Sequence, residues 1–362
     1  MSTHSYLIPT TLLLIILATI HTKEEMSTKI RPHPGNSTDS PSFLIAVHAG
    51  AGSYTRSQIN FEKEALIKEG LLEALKAGFD VLKRNGSNVE AVREAIIKLE
   101  DNPLYNAGKG GKINQNFEVE SDASIMDGSY LGVGGVAAIK HVKNPILAAE
   151  AVLKQTPHVL LVGDSADEFA KNKGLTVVPN NYFMTEERIK EWFEAKREDE
   201  DEAKIVKEKA TKDKMGTIGS VALDTQGHLA AATSTGGITY KMPGRVGDSP
   251  IAGAGNYAND NTCAVSCTGA GEIMIRRVMA FDIHARMLYK GLSLKESSDE
   301  VINSVEKDTG GFIAIDKDGH VHMPYNSGGM ARGYIRQDGK AFIYIFAEGE
   351  DLTPVEYDLS SK

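Results

Sequence analysis

A glycine–threonine pair, Gly216–Thr217, stands where a run of charged residues gives way to an apolar segment. A threonine hydroxyl is a weak nucleophile and needs a base within hydrogen-bond reach. If the chain is cut just before Thr217, the new α-amino group, with an ordinary pKa of about 8, can act as that base near working pH. Gly216 leaves no side chain beside the bond and permits strained backbone angles. Because Gly-Thr pairs are common, this pair alone predicts only a candidate nucleophile and cleavage site.

Three short motifs further along the chain strengthen the hypothesis that Thr217 is a nucleophile. Arg245 and Asp248 lie three residues apart in GRVGDSP, and such a pair can hold a carboxylate and an ammonium group. The alternative is an ordinary surface ion pair of little energetic weight. TSTGG (233–237) places hydroxyls beside a flexible turn, and SCTGAG (266–271) offers a hydroxyl and backbone N–H groups ahead of a helix. The last motif fits either an oxyanion hole or a helix N-cap.

Apolar periodicity and turn signals predict the elements that must position these residues. Asn88 is the predicted N-cap of the second helix, and 342–346 the predicted last strand. Because strands and helices come in blocks, we predict an α+β fold with packed sheets and helices outside them. The predicted strands are 43–48, 117–125, 133–139, 159–162, two flanking a turn at 224–227, 264–267, 312–315, 321–324 and 342–346, and the predicted helices are 61–84, 88–99, 144–153, 165–173 and 272–289.

Composition and charge exclude some classes of partner. The 362 residues carry a net charge of −9, which argues against nucleic acid because nucleic acid binding needs a basic surface. A small anionic substrate remains compatible with this charge, since one well-placed arginine can dominate a pocket. Cys263 and Cys267 lack the companions of a zinc site and are interpreted as buried thiols, although the sequence also permits a disulfide between them.

The chain divides into an N-terminal segment, residues 1–42, and a single predicted domain, residues 43–362. Within the first, Leu7–Ile20 has about the length of a signal-peptide core and is short for a membrane span. This run favours a secretory or membrane-anchored protein, whereas Met26 would open an ordinary cytoplasmic start, and both interpretations stay open. Inside the domain, 185–216 is dominated by charged residues and predicts a flexible linker with a helical start.

Taken together, the motifs resemble those of the plant-type (type 2) L-asparaginase and isoaspartyl peptidase family of N-terminal-nucleophile (Ntn) hydrolases. The shared stretches, from about residue 43 to the end, are HAGAG, NPLYNAGKG, DASIMDG, LLVGDSADEFA, GTIGSVALD, ATSTGG, PGRVGDSP, GAGNYA and CTGAGE. The resemblance implies a four-layer αββα sandwich. It also implies a precursor that cuts itself between Gly216 and Thr217 into an α chain and a β chain, Thr217–Lys362, which stay together.

The resemblance assigns catalytic roles residue by residue. Thr217 matches the nucleophile, with its released α-amine as the base. Thr235 matches the threonine whose hydroxyl touches and tunes the nucleophile. Thr268 and Gly269 match the oxyanion stabilisers, and Gly269 also faces the substrate.

The resemblance likewise implies a substrate site. Arg245 matches the ligand of the substrate carboxylate and Asp248 the ligand of its α-amino group. Gly271 lines the same pocket through its backbone, and Asn106 matches an asparagine that supports the site. The loop Leu99–Gly108 resembles a structural sodium-binding loop that uses main-chain carbonyls. No cofactor is implied for catalysis.

The implied activity is hydrolysis of the side-chain amide of L-asparagine, or of the isopeptide bond of β-aspartyl dipeptides, with release of L-aspartate by a homodimer of αβ units. Three alternatives stay open at this point: a glycosylasparaginase-like hydrolase, a taspase-like threonine endopeptidase, which is similar in HAGAG, and a non-catalytic binding protein.

The family usually has His-Gly-Gly after the first strand, and here Ala49 replaces the first of those glycines. Because a methyl group restricts positive φ angles, we expect Ala49 to affect the rate of self-cleavage.

Overall fold

The computed structural model of the chain describes residues 43–52, 54–57, 59–202, 216–346 and 355–358, which belong to one compact unit, Pro41–Lys362. The apolar run Leu7–Ile20, the linker that follows it to residue 42 and the charged residues 203–215 lie outside the described residues. None of the helices within the described ranges is long and apolar enough to cross a membrane.

The described strands form two sheets. The larger has nine strands in the order β13-β12-β11-β1-β5-β6-β2-β3-β4, and the smaller has four in the order β10-β9-β8-β7. Neighbouring strands pair antiparallel, except β3 with β4. The strands are β1 Leu44–Gly52, β2 Ser121–Asp127, β3 Gly132–Ile139, β4 Leu160–Val162, β5 Ile218–Leu223, β6 Leu229–Thr235, β7 Asn256–Ala258, β8 Cys263–Gly269, β9 Gly310–Asp316, β10 Val321–His322, β11 Gly329–Arg336, β12 Lys340–Phe346 and β13 Val355–Asp358.

Four of the five predicted helices begin and end within two residues of their predicted bounds, with one cap assigned wrongly, and the helix Leu294–Asn303 was not predicted. Ser87, and not Asn88, caps the second helix, because the Ser87 side chain accepts the Glu90 N–H. Asn88 is buried and donates its side-chain amide to the Leu229 carbonyl at 2.9 Å. The helices are α1 Phe61–Lys83, α2 Asn88–Asp101, α3 Pro145–Gln155, α4 Gly163–Asn172, α5 Glu186–Glu202, α6 Gly271–Arg277, α7 Met279–Lys290 and α8 Leu294–Asn303.

Three clusters of buried apolar side chains hold these elements together. One fills the space between α1–α3 and a face of the larger sheet. A second lies between the two sheets and includes small residues such as Ala46, Ala231 and Ala264, which let the sheets approach closely. A third packs α6–α8 against the other face of the smaller sheet. This stacking brings the start of β5 and the ends of β6 and β8 together, where the predicted site residues lie.

Three sequence-based predictions of secondary-structure elements were wrong. The predicted helix over 272–289 is two helices, α6 and α7, with Val278 between them at φ 51°. The Phe281 N–H bonds to the Gly253 carbonyl at 2.9 Å, so a distant loop redirects the backbone there. The strand predicted over 117–125 begins only at Ser121, because Phe117 adopts φ 62° in a turn. Finally, β13 follows the strand that was predicted to be the last.

The stretch 185–216, predicted as a flexible linker, contains α5 over its first half. Trp192 anchors this helix in a buried cluster with Ile113, Val119 and Phe183. Arg188 is 2 % exposed and donates to the Gly110 carbonyl at 2.6 Å. The helical start is therefore longer and more firmly docked than the charge pattern indicated. Residues 203–215 lie outside the described part, so for them the linker stays a prediction.

The two cysteines are buried, free thiols, as interpreted from the sequence. Both lie on β8 in the cluster between the smaller sheet and its helices. Burial raises the pKa of Cys263 to about 12 and also raises that of Cys267. Since the thiolate is the reactive form, these residues pack the core and do not take part in chemistry.

Candidate active site

A cavity of ≈ 420 Å³ opens where the start of β5 and the ends of β6 and β8 meet. Most of the predicted site residues line this cavity: Gly216, Thr217, Thr235, Arg245, Asp248, Gly269 and Gly271. The other two, Thr268 and Asn106, are buried beside the cavity and do not line it. The structure thus brings residues from four separate motifs to one place.

Thr217 lines the cavity immediately before β5 and is 8 % exposed. Its hydroxyl donates to Oγ1 of Thr235 at 3.2 Å and accepts from Oγ of Ser249 at 3.5 Å. Thr235 Oγ1 in turn accepts the backbone N–H of Gly237 at 3.0 Å. Both side-chain partners of the Thr217 hydroxyl among the described residues are themselves hydroxyls, which are too weakly basic to take its proton. This environment suits a nucleophile whose base is its own α-amine.

Two segments close on Gly216, the residue before the nucleophile. A Cβ atom built on Gly50 would lie 2.4 Å from the Gly216 nitrogen, and one built on Gly216 would lie 2.8 Å from the Thr268 hydroxyl oxygen. The same Thr268 oxygen accepts the Ala51 N–H at 3.3 Å. Because a hydroxyl has one hydrogen to donate, Thr268 can direct it toward the peptide that precedes Thr217.

Arg245 and Asp248 lie side by side against Gly271. A Cβ atom on Gly271 would lie 2.8 Å from Asp248 Oδ1 and 3.1 Å from Arg245 Nη2, so only glycine leaves this corner open. The Nε and Nη2 groups of Arg245 each donate to a carboxylate oxygen of Glu272 at 3.0 Å. The ion pair weighed from the sequence therefore exists, but with Glu272 as its partner. This ion pair uses the Nε–Nη2 edge of the Arg245 guanidinium and leaves the Nη1–Nη2 edge for a ligand carboxylate.

Asp248 is a buried carboxyl group that forms no ion pair within the part of the chain that the structure describes. It is 3 % exposed, and its Oδ2 has no hydrogen-bond partner within the described residues. Burial is the main reason why the pKa of Asp248 is raised to about 7; Glu272 contributes to the rise, and Arg245 opposes it. A buried charge is costly unless it is paired. A ligand ammonium group would supply the missing partner.

Asn106 is buried behind the cavity, where it holds a neighbouring turn. Its side-chain amide donates to the Gly237 carbonyl at 2.7 Å, and its Oδ1 accepts the Lys112 N–H at 3.0 Å. Its own carbonyl accepts the Gly236 N–H at 3.0 Å. Since the Gly237 N–H bonds to Thr235, Asn106 positions the turn that holds this second threonine.

Comparison with known proteins identifies the family of this site. The family model described as asparaginase matches residues 41–345. The chain belongs to the asparaginase family. It is 44% identical over 300 residues to the isoaspartyl peptidase of Escherichia coli (strain K12), which covers 80% of this chain and 92% of that protein. The resemblance of the motifs is confirmed, and the chain is a hydrolase of a cofactor-independent class.

Two further relatives support the same assignment. The isoaspartyl peptidase of Salmonella typhimurium is 44% identical over 306 residues, with 80% of this chain and 94% of that protein covered. The isoaspartyl peptidase/L-asparaginase of Xenopus laevis is 37% identical over 316 residues, with coverage of 86% and 98%. The similarity thus extends over nearly the full length of these asparaginase-family proteins.

A buried polar chain that was not predicted from the sequence supports the asparaginase-family site. Nε2 of His48 lies 3.0 Å from the Ser266 hydroxyl, which lies 2.7 Å from the Thr233 hydroxyl. Burial lowers the pKa of His48 to about 3, so the ring is neutral. Gly219 makes room for this chain, since a Cβ atom there would lie 2.0 Å from Ser266 Oγ. Thr233 and Ser266 each precede a site threonine by two residues, so the chain fixes the strands that carry Thr235 and Thr268.

The structure corrects the expected effect of Ala49 on the backbone. The positive φ of this turn, 106°, belongs to Gly50, and Ala49 is not among the residues with positive φ. Ala49 lies in β1 at an irregularity of its pairing with β11 and packs in the core between α1–α3 and the larger sheet. Its methyl group therefore imposes no φ strain, and the residue that must be glycine is Gly50.

This correction predicts opposite outcomes for two neighbouring substitutions. Gly50→Ala is expected to slow self-cleavage by about tenfold or more, because it combines positive-φ strain with a contact against the Gly216 nitrogen. Ala49→Gly is expected to change the rate by less than about twofold, since it relieves no φ strain. The measurement is the fraction of cut chain over time on denaturing gels. Strong acceleration by Ala49→Gly, with Gly50→Ala unaffected, would contradict this assignment.

The titration of Asp248 predicts how substrate binding depends on pH. With a pKa of about 7, Asp248 loses its charge as the pH falls, and the neutral acid binds an ammonium group poorly. We expect KM for an aspartyl substrate to rise by about tenfold for each pH unit below that value, because the ionised fraction falls tenfold per unit. KM for L-asparagine measured from about pH 5 to about pH 9 tests this, and a KM that is flat below pH 7 would contradict it.

Proposed function

We propose that this chain is a self-processing threonine hydrolase that releases L-aspartate from L-asparagine and from β-aspartyl dipeptides. The observation that carries the proposal is one cavity in which the Thr217 hydroxyl faces the same space as Arg245 and Asp248. The names of the relatives, isoaspartyl peptidase and isoaspartyl peptidase/L-asparaginase, support the two substrate classes.

The first reaction in this proposal is cleavage of the chain itself. Oγ1 of Thr217 attacks the carbonyl carbon of Gly216, and the bond from that carbon to the Thr217 nitrogen breaks as the nitrogen takes a proton. The product is an ester between Gly216 and the Thr217 side chain, together with a free α-amine. Water hydrolyses the ester, which leaves a carboxylate on Gly216 and restores the hydroxyl. The proposal is supported by the Thr268 hydroxyl near Gly216 and by the close approach of Gly50.

The second reaction uses the new amine as general base. It takes the hydroxyl proton of Thr217, and the oxygen attacks the side-chain amide carbon of the substrate. Thr268 and Gly269 donate to the oxyanion, an interaction worth roughly 3–4 kcal/mol per donor in comparable sites. Ammonia, or the amino acid of a dipeptide, leaves with the proton. Water, activated by the same amine, then hydrolyses the acyl-enzyme and releases L-aspartate.

Substrate orientation in this proposal comes from the two charged residues beside Gly271. Arg245 binds the α-carboxylate through its Nη1–Nη2 edge, while Glu272 holds the opposite edge. Asp248 binds the α-ammonium group. Because both contacts involve only the aspartyl end, the site accepts different leaving groups at the amide.

The proposal includes a structural sodium ion in the loop Leu99–Gly108. Hard cations take oxygen ligands, and the carbonyl oxygens of Pro103 and Tyr105 converge on Gly110, where a Cβ atom would lie 2.5 and 2.6 Å from them. Both are main-chain oxygens, the type of ligand that such an ion takes. The Leu104 carbonyl does not belong to the set, because it accepts from Arg188 Nη2 at 3.3 Å. The ion would stiffen the loop that carries Asn106.

We also propose an architecture, an assembly and a cellular destination for this protein. The two sheets with helices on their outer faces support a four-layer αββα sandwich of the Ntn-hydrolase type. The family resemblance supports a homodimer of αβ units, which light scattering of the purified protein would test. The apolar run Leu7–Ile20 supports a secretory or anchored protein, and Met26 supports a cytoplasmic start. Fractionation of cells expressing the full chain would distinguish these two.

A substrate panel tests the proposed function. Purified, cut protein is incubated with L-asparagine, β-aspartyl-leucine and a glycosylated asparagine, and free L-aspartate is measured. We expect aspartate from the first two. Turnover of the glycosylated compound alone would favour a glycosylasparaginase-like enzyme, and turnover of none of the three, with cleavage of protein substrates instead, would favour a taspase-like endopeptidase.

A further inference from the structure

The active-site cavity has a second wall, away from Arg245 and Asp248. This wall consists of the turn 306–309 and of residues 327–328. The aspartyl part of a substrate does not need it, because the charged pair beside Gly271 already accounts for both ionic groups of that part.

The order of contacts along the end of β8 places this wall on the leaving-group side. Gly271 touches the charged pair, as described above. Two residues earlier, a Cβ atom on Gly269 would lie 2.1 Å from the Thr309 carbonyl oxygen and 2.7 Å from the Gly310 α-carbon. The oxyanion position at Thr268 and Gly269 therefore lies between the two walls. If the aspartyl end occupies one side, the group beyond the scissile amide extends toward the turn.

Asn326 forms hydrogen bonds at both ends of this turn. Its backbone carbonyl accepts the Asp308 N–H at 3.0 Å, and its side-chain amide donates to the Glu306 carbonyl at 2.8 Å. Its side-chain oxygen accepts the Gly310 N–H at 3.0 Å. Asp308 adopts φ 66°, a conformation that non-glycine residues keep only where their surroundings impose it. A short charged turn is thus fixed in place at the cavity wall.

Lys307 is the cation that this turn presents. It is exposed and lines the cavity, and no hydrogen bond or ion pair involves its side chain within the residues that the structure describes. The other cation of the cavity lining, Arg245, is held by Glu272 and faces the aspartyl side. Lys307 therefore offers a positive charge at the side where a leaving group would lie.

We propose that Lys307 pairs with the α-carboxylate of the amino acid that a β-aspartyl dipeptide releases. The inference rests on the proposed function and deepens it, because it names the preferred class of substrate: dipeptides with a free C-terminal carboxylate rather than L-asparagine. Glu306 and Asp308 flank the lysine. Their charges act against a second carboxylate, so a neutral or basic leaving residue is favoured over an acidic one.

The test compares three substrates that share the aspartyl end: L-asparagine, β-aspartyl-leucine and β-aspartyl-leucinamide. Lys307→Met is expected to lower kcat/KM for β-aspartyl-leucine by about three- to tenfold, the range for a partly exposed charge pair. It is expected to leave the other two substrates unchanged, since neither has the leaving-group carboxylate. Lys307→Arg is expected to restore turnover of the dipeptide.

Lys317→Met is the matched control, because that lysine is 51 % exposed and pairs with Asp318 away from the cavity. Self-cleavage into two fragments reports that each variant is folded. Equal loss on all three substrates, or no loss on any, would overturn the role of Lys307 while leaving the proposed function intact. If the wild-type protein releases no aspartate from any of them, the proposed function itself fails, and this inference fails with it.

Discussion

Replacing Thr217 with alanine is expected to yield a single uncut chain that releases no aspartate from any substrate. The substitution removes the oxygen that attacks the Gly216 carbonyl, and no side chain described beside it is a stronger nucleophile, since its neighbours Thr235 and Ser249 are also hydroxyls. Without the cut there is also no α-amine to act as base. Both reactions therefore fail together, and the rate should fall to the background of the assay.

The controls separate loss of chemistry from loss of fold. Thr217→Ser keeps the hydroxyl and is expected to retain both reactions at reduced rates. Thr217→Ala should unfold close to the temperature of an uncut wild-type sample, because the side chain is small and donates a single described hydrogen bond. Release of ammonia from L-asparagine by pure Thr217→Ala protein would remove Thr217 from the role of nucleophile.

The second large effect is expected at Asp248. Asp248→Asn should raise KM for L-asparagine and for β-aspartyl dipeptides by roughly 30-fold or more, since removing one partner of a buried charge pair costs at least about 2 kcal/mol. Self-cleavage should continue, because that reaction involves no substrate ammonium group. The variant should also be no less stable than the wild type near pH 8, because Oδ2 of the buried carboxylate has no hydrogen-bond partner among the described residues.

Asp282→Asn is a suitable control for this experiment, since Asp282 pairs with Arg286 on the surface of α7. It should leave KM unchanged. If Asp248→Asn also left KM unchanged while the pH dependence of binding persisted, the assignment of Asp248 as the ligand of the ammonium group would be wrong. If KM rose and its pH dependence below about pH 7 disappeared, two independent measurements would support the assignment.

The sequence predicted the parts of the site that lie in local, glycine-rich motifs. Gly216–Thr217, the pair in GRVGDSP and the oxyanion motif at the end of β8 each carry their chemistry within a few residues, and the structure brings them to one cavity. The pairing of Arg245 with Glu272 was not predicted, because it joins residues 27 apart in sequence. The bond from the Asn106 side chain to the Gly237 carbonyl was not predicted either, because it joins residues 131 apart.

The helices and strands divide in the same way, into those predicted from local signals and those set by contacts with distant residues. Helices with regular apolar spacing and a good terminal signal, such as α1, were predicted within a residue or two. The break at Val278 was not, because no proline or glycine marks it and its cause is a backbone contact with Gly253. The buried chain from His48 through Ser266 to Thr233 joins β1, β8 and β6, and no single motif contains it.

The mass of the purified wild-type protein under denaturing conditions tests the central claim most directly. After prolonged incubation, the account predicts two chains, the smaller with Thr217 as its N-terminal residue, and aspartate release that rises in step with the cut fraction. A single intact chain that hydrolyses L-asparagine would contradict it, because the Thr217 amine would then still be locked in a peptide bond.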